Sequence, residues 1–445
     1  MKRKLRSLYL TLILDTRFIT LRRTLAELRR LLTFKKRVVH VFLQLDDPYS
    51  YLLSHYLGHV IPRYQKVEFR FYLCQALRGD YMPEPGLLAE YSVTDCKLLA
   101  KEFGVPFLDL GEAPAVEHRR SLLEYLADEQ GDEEFFQTFS KALAVYWRGD
   151  TEGAARLIGP VHPDPETTNL LISKNQQLLR NLGHYNCATM FFAGEWYWGV
   201  DRLLYLIERF GGKGLIRSRE PLPELRSLEQ AMQMHLPATV PAQAESLPPL
   251  EMFYSFRSPY AYIALARTFE IADAFGLKLD VRPVLPMVMR GLSVPKSKLL
   301  YIAHDANREA ARLKVPFGKI CDSVGVGSER CIAAFYYARA RGKERNFLFV
   351  VGQAIWSRAI DVATDEGMQI VAKRAGLDWP EMKEAMENDD WHRKVEANRE
   401  TLIEMGLWGV PSFRVGELAL WGQDRTWLLA RKIEDMCHGG EGIIV

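Results

Sequence analysis

The sequence predicts an α/β protein in which one plan is used twice, each copy carrying a helical insertion. Three observations point there. Short motifs recur at a nearly constant spacing, a proline-rich stretch separates the two sets, and each set opens with an apolar strand that turns at an X-Pro dipeptide into a helix.

The repeat is the strongest signal. Val41–Leu53 resembles Met252–Ala264, with Asp47-Pro48-Tyr49-Ser50 in one and Ser258-Pro259-Tyr260-Ala261 in the other, 211 residues apart. Tyr91 and Asp95 match Tyr301 and Asp305, and Val105-Pro106-Phe107 matches Val315-Pro316-Phe317, both at an offset of 210. Trp198-Gly199-Val200-Asp201-Arg202 matches Trp421-Gly422-Gln423-Asp424-Arg425 at 223. Four matches in the same order, with small drifts, are what a duplicated domain with a few insertions produces. The predicted divisions are 1–37, a basic helix; 38–210, the first domain; 211–249, a linker; 250–437, the second domain; and 438–445, a tail.

In the second copy the strand is Leu250 to Phe256, and Pro259 suits the first turn of a helix, where its missing N–H is not needed. That helix runs to about Phe275. A strand from Lys278 to Val284 completes a βαβ unit, which implies a parallel pair. A long helical region follows from Ser297 to Met405, with Asp378-x-x-Glu381 as a capped helix start. Short strands at Ser412–Val415 and Leu418–Trp421 are joined by Gly416-Glu417, and a last helix begins near Asp424. The order βα, β, helical insertion, ββα is that of a thioredoxin-like fold. The linker contains Pro221, Pro223, Pro237, Pro241, Pro248 and Pro249, with one short helix expected at Leu225–Met234.

Composition bounds the function. A chain of 445 residues with 48% apolar and 26% charged residues has the balance of a soluble globular protein. The net charge of +2 argues against nucleic acid as an obligatory partner. The cysteines Cys74, Cys96, Cys187, Cys321, Cys331 and Cys437 include no C-x-x-C pair, which fits a reducing, cytoplasmic setting and removes the usual dithiol motif. His304, Asp305 and His392 lack metal-ligand spacing, so no metal site is expected. No stretch reaches the roughly 18 apolar residues of a membrane span. Lys2, Arg3, Lys4 and Arg6 precede apolar residues from Leu8 to Leu14, and no small-residue cleavage site follows. Leu5–Leu32 reads as a basic amphipathic helix. Packing on its own protein is the plain expectation; peripheral contact with an acidic membrane surface is the other.

Ser258 stands where a strand ends and a helix begins. The first N–H groups of a helix lack internal partners, and its dipole favours an anion there. A hydroxyl at this point can donate to a bound thiolate; equally, it can simply cap the helix. No cysteine stands at either end of Ser258–Ala261, so any thiolate must come from a ligand. A cis proline at Gly409-Val410-Pro411 would leave the Val410 N–H and C=O free to pair with a peptide-like ligand in strand fashion. Asp424 is either a cap for the last helix or a partner for the ammonium of a γ-glutamyl group. Arg425 adds charge or makes a structural ion pair.

Together these pieces resemble the 2-hydroxychromene-2-carboxylate isomerases and the related kappa-class glutathione transferases, of the DsbA-like thioredoxin-fold superfamily. The matching stretches are Phe253–Tyr260, Tyr301-x-x-x-Asp305-x-x-Arg308, Gly409–Phe413 and Trp421–Arg425. The resemblance implies two tandem DsbA-type domains and glutathione as cofactor. It implies that Ser258, flanked by Pro259 and Tyr260, faces the glutathione sulfur. Val410 and Pro411 would then hold the cysteinyl backbone, and Gln423, Asp424 and Arg425 the γ-glutamyl end. In those isomerases the thiolate adds to a conjugated enone, the new single bond rotates, and elimination restores the double bond. The implied activity is glutathione-dependent isomerisation or transfer on a conjugated small molecule. A thiol–disulfide oxidoreductase without C-x-x-C and a non-catalytic interaction protein are the rivals.

The chain departs from that pattern in places. An Asn usual in the loop after the second strand is replaced by the segment Gly291–Pro295. Lys296 and Lys298 are candidates for a substrate carboxylate, with solvated surface lysines as the plainer expectation. In the first copy Asp47 takes the serine position, where a carboxylate repels a thiolate, and Thr189 is read as the match to Pro411. That copy is therefore expected to be degenerate, paired with the second as identical subunits would be. Cys187 is read as a buried structural cysteine.

Overall fold

Among the described residues eight strands form two four-stranded sheets of the same topology, each with its strand order 2-1-3-4 within the copy. The computed structural model describes residues 2–75, 79–107, 116–159, 164–211, 215 and 222–439. The expected tail at 438–445 lies outside these residues from 440 on, as do 212–214 and 216–221 of the expected linker. The chain divides into two compact units, Thr20–Gln233, and Met234–Val445 together with Met1–Ile19.

In the first unit β1 (Arg37–Gln44) lies between β2 (Val67–Cys74), to which it is parallel, and β3 (Thr189–Phe192), to which it is antiparallel, with β4 (Glu195–Trp198) outermost. In the second unit β5 (Leu250–Tyr254) sits in the same way between parallel β6 (Leu279–Pro283) and antiparallel β7 (Ser412–Val415), with β8 (Leu418–Trp421) at the edge. A strand covered on both faces needs no polar alternation, and all five residues of β5 are buried. Crossover helices Pro48–Val60 and Pro259–Phe275 follow β1 and β5. Six helices from Lys296–Arg312 to Trp391–Glu404 form the second insertion, and Asp378 Oδ1 accepts from Glu381 N–H at 2.9 Å at one of their starts.

The strand registers make the duplication concrete and correct one alignment. Val41 faces Met190 and Phe42 faces Thr189; Met252 faces Phe413 and Phe253 faces Ser412. Thr189 is therefore the counterpart of Ser412. The residue matching Pro411 is Ala188, and Cys187 stands where Val410 does. The slip came from counting a loop without the ladder that sets its register.

The expected single N-terminal helix is two, Lys2–Leu14 and Thr16–Leu32, interrupted at Asp15, whose Oδ1 accepts the Arg17 N–H at 2.8 Å. Among its described side chains the first helix buries Ile13 and Leu14, with the Asn307 amide donating to Leu14 O at 3.1 Å and Arg6 pairing with Asp322 at 3.2 Å. The second buries no residue. The short helix Pro223–Ala231 belongs to the first unit, burying Leu225 and Leu228 there. Among the described residues no helix is long and apolar enough to cross a membrane.

Candidate functional site

Ser258 adopts extended backbone and caps the helix Pro259–Phe275, its Oγ accepting the Ala261 N–H at 3.1 Å. The hydroxyl is then free to donate, and it does so to the Val410 carbonyl, also at 3.1 Å. The strand-to-helix turn and the Val410–Pro411 segment, 152 positions apart in sequence, thus meet at one point. The Val410–Pro411 peptide is cis. Among the described residues the Val410 N–H has no protein acceptor, whereas its carbonyl is engaged by Ser258.

The segment before Pro411 is held from three sides. Gly409 lies against the Trp421 indole, and Trp408 packs on the same ring at 4.6 Å between centroids. Arg290 Nη2 donates to the Trp408 carbonyl at 2.9 Å. The Gly422 N–H donates to Pro411 O at 2.9 Å, which seats the Gln423–Arg425 turn beside the cis proline. The sequence marks Trp421 as the start of the Trp421–Arg425 motif, whereas nothing local in it marks Arg290, in the turn after β6, as a support.

The three residues of that turn part company. Gln423 is 3% exposed and its amide donates to Glu309 Oε2 at 2.7 Å, so its side chain faces inward. Arg425 is equally buried and pairs with Asp424 Oδ1 at 3.6 Å, the structural ion pair of the two roles considered. Asp424 alone of the three is partly exposed. Pro259 is buried at the first turn of its helix. The Tyr260 hydroxyl donates to Asp305 Oδ2 at 2.8 Å, and Arg308 lies 3.6 Å from the other carboxylate oxygen, so the Tyr301-to-Arg308 motif braces the turn.

Charge near the turn is balanced by ion pairs. Arg257 forks onto Asp322 at 2.8 and 3.1 Å. Burial alone would raise the Asp322 pKa, but the Arg257 hydrogen bonds and charge, with Arg6, bring it below the usual carboxylate value. Lys296 is exposed, as the plain reading has it, but Lys298 is half-buried, and burial lowers its pKa to about 8.

The first copy repeats the brace and changes the chemistry. The Tyr49 hydroxyl donates to Asp95 Oδ2 at 2.8 Å. Asp47 caps its helix through the N–H groups of Tyr49 and Ser50 and the Ser50 hydroxyl, at 3.2, 3.1 and 2.8 Å. Burial pushes its pKa up to about 6 despite those hydrogen bonds. Cys187 is buried, its thiol points to the Gln75 carbonyl at 3.9 Å, and the neighbouring Cys74 thiol and then burial push its pKa well up.

Comparison with known proteins gives the following. Residues 249–434 match the model of the DSBA-like thioredoxin domain. The 2-hydroxychromene-2-carboxylate isomerase of Pseudomonas putida is 23% identical over 197 residues, which is 42% of this chain and 96% of that protein. A solved structure of 2-hydroxychromene-2-carboxylate isomerase is 22% identical, covering 44% of this chain and 99% of its own, with a TM-score of 0.38. The cytosolic disulfide reductase DsbM from Pseudomonas aeruginosa, solved with GSH, is 17% identical, covering 43% and 99%, with a TM-score of 0.32.

Proposed function

We propose, from the match of residues 249–434 to the DSBA-like thioredoxin domain, that the second unit works as a glutathione-dependent isomerase or transferase on a conjugated small molecule, with Ser258 stabilising the thiolate. One observation carries this reading: the Ser258 hydroxyl caps a helix N-terminus 3.1 Å from the carbonyl of Val410, next to a cis proline.

The residues present fit a γ-glutamyl-cysteinyl peptide. The Val410 N–H offers a strand-like donor, and the Asp424 carboxylate offers a partner for an ammonium group. Gln423 and Arg425 serve this site from behind, by fixing the turn that carries Asp424. When bound, glutathione supplies the nucleophilic sulfur. The Ser258 oxygen can keep accepting from the Ala261 N–H while its hydrogen turns from Val410 O to an anion. The helix N-terminus adds favourable potential at the same place, so the thiolate form is stabilised without a side-chain base. The chain's remaining task is to orient the reactant.

Calorimetric titration with glutathione tests the reading. The unaltered chain binds at millimolar ligand or below, and Ser258→Ala, shown folded by circular dichroism, loses affinity. An unaltered chain that binds no glutathione would sink the proposal.

Thiol–disulfide exchange is the second reading, favoured by one observation, the pair of buried free thiols Cys187 and Cys74 in the first unit. Both thiols are buried and the Cys187 thiolate is disfavoured, which makes them poor nucleophiles. Insulin reduction that disappears in Cys187→Ser would favour it.

A further inference from the structure

The helix Thr16–Leu32 buries no residue and turns an apolar row outward. Leu21, Leu25, Leu28 and Leu32 follow the i, i+4, i+7, i+11 spacing of a single helix face, and they are 52%, 54%, 49% and 70% exposed. Two of its charged residues, Arg23 and Glu27, tie the helix to the first unit. Arg23 forks onto Glu195 at 2.7 and 3.0 Å, and Glu27 accepts from Arg30 at 2.9 Å and from Arg37 at 2.5 Å. Arg17, Arg22 and Arg29 are exposed on the same helix as the leucine row. Phe34, just past its end, is 95% exposed.

A row of four leucines in water is unfavourable, and at about 25 cal/mol per Å2 its burial against another phase is a sizeable drive. Charge decides which phase. Residues 1–37 hold 12 of the 58 Lys and Arg but only 2 of the 56 Asp and Glu. That segment carries a formal +10, and the rest of the chain carries −8. A second copy would bring a like-charged segment to the same face. An anionic surface would meet both the leucines and the arginines.

We propose that the helix Thr16–Leu32 is an interfacial anchor that lays its Leu21-Leu25-Leu28-Leu32 row into the headgroup boundary of an anionic lipid bilayer. The helix Lys2–Leu14, taken by itself, shows a shorter row of the same kind in Leu5, Leu8 and Leu12, each more than half exposed. Arginines flanking such a row add attraction to an anionic surface, an effect that salt screens.

Co-sedimentation of the full chain with phosphatidylcholine vesicles, with and without phosphatidylglycerol, tests this. Binding is expected with phosphatidylglycerol, at least about ten-fold above phosphatidylcholine alone, and is expected to weaken with added salt. The triple variant Leu21→Gln, Leu25→Gln, Leu28→Gln should lower the bound fraction about ten-fold while circular dichroism stays unchanged, since these side chains bury nothing. Arg17→Gln with Arg22→Gln and Arg29→Gln should erase the preference for the anionic vesicle. Failure of the unaltered chain to bind phosphatidylglycerol vesicles overturns the proposal. So does a light-scattering mass of two chains that falls to one in the leucine variant, which would give the row to a second copy.

Discussion

Gly409 and Trp421 fit together so closely that a methyl group on Gly409 would fall 2.5 Å from the indole carbons. The contact joins the segment before the cis proline to the last residue of β8. Gly409→Ala should force the indole away and destabilise the second unit by about 1–3 kcal/mol, as overpacking does. Urea denaturation followed by tryptophan fluorescence reads the loss, and the folded variant should bind glutathione more weakly than the unaltered chain.

Ser258→Ala removes both a helix cap and a donor, and the two losses can be separated. The cap contributes about 1 kcal/mol of stability. Ser258→Asp restores a capping acceptor but places a carboxylate where a thiolate is to sit, as Asp47 does in the first copy. It should recover most of the urea midpoint lost in Ser258→Ala and none of the glutathione binding, a split visible by comparing denaturation with calorimetry.

Asp47 gives the first unit a pH dependence of definite sign. Its carboxyl is raised from 3.8 to about 6 in the folded chain, so the unfolded chain ionises first as pH rises. The folded state binds more protons between those values, and stability falls across that window, by up to about 3 kcal/mol, then stays level above it. Asp47→Asn should flatten the slope and be the more stable form above pH 6. Urea midpoints measured across the window decide it; an unchanged slope would refute the assignment.

Lys298 runs the other way. Burial lowers its pKa to about 8 in the folded chain from 10.5, so stability should rise as pH climbs through that interval. Isotope-labelled dimethyl-lysine signals should show Lys298 titrating near 8. Lys298→Met should be more stable than the unaltered chain at neutral pH, where the charged amine carries the burial penalty.

The two tyrosine braces test whether the copies still share their architecture. Tyr260→Phe and Tyr49→Phe each remove one donor to a buried aspartate, Asp305 or Asp95, both 1% exposed. Each should destabilise its own unit by about 1–3 kcal/mol, because a buried carboxylate loses a donor. Only Tyr260→Phe should alter glutathione binding.

Much of this fold was legible because its signals are local. Pro259 at a first helical turn, the Asp378 cap, the Gly416-Glu417 hairpin and the spacing of the repeats depend on neighbours in the chain. The strands Ser412–Val415 and Leu418–Trp421 lie where the sequence places them. Where spacing alone was asked to align a loop, it slipped by one, pairing Pro411 with Thr189 instead of Ala188. Only the ladder between β1 and β3 sets that register.

By itself the sequence determined that one α/β plan occurs twice, that the turn at Ser258 recurs with Asp47, and that a basic apolar segment leads the chain. Tertiary structure decided the rest. It brought the Ser258 hydroxyl to Val410, turned Gln423 toward Glu309, tied Arg425 to Asp424, and left Leu21 to Leu32 facing outward where periodicity predicts burial. The reason is physical. Propensity, caps and turns act over a few residues, whereas which side chain meets which partner depends on packing between elements far apart in the chain, and one amphipathic pattern fits two opposite orientations until its neighbours choose.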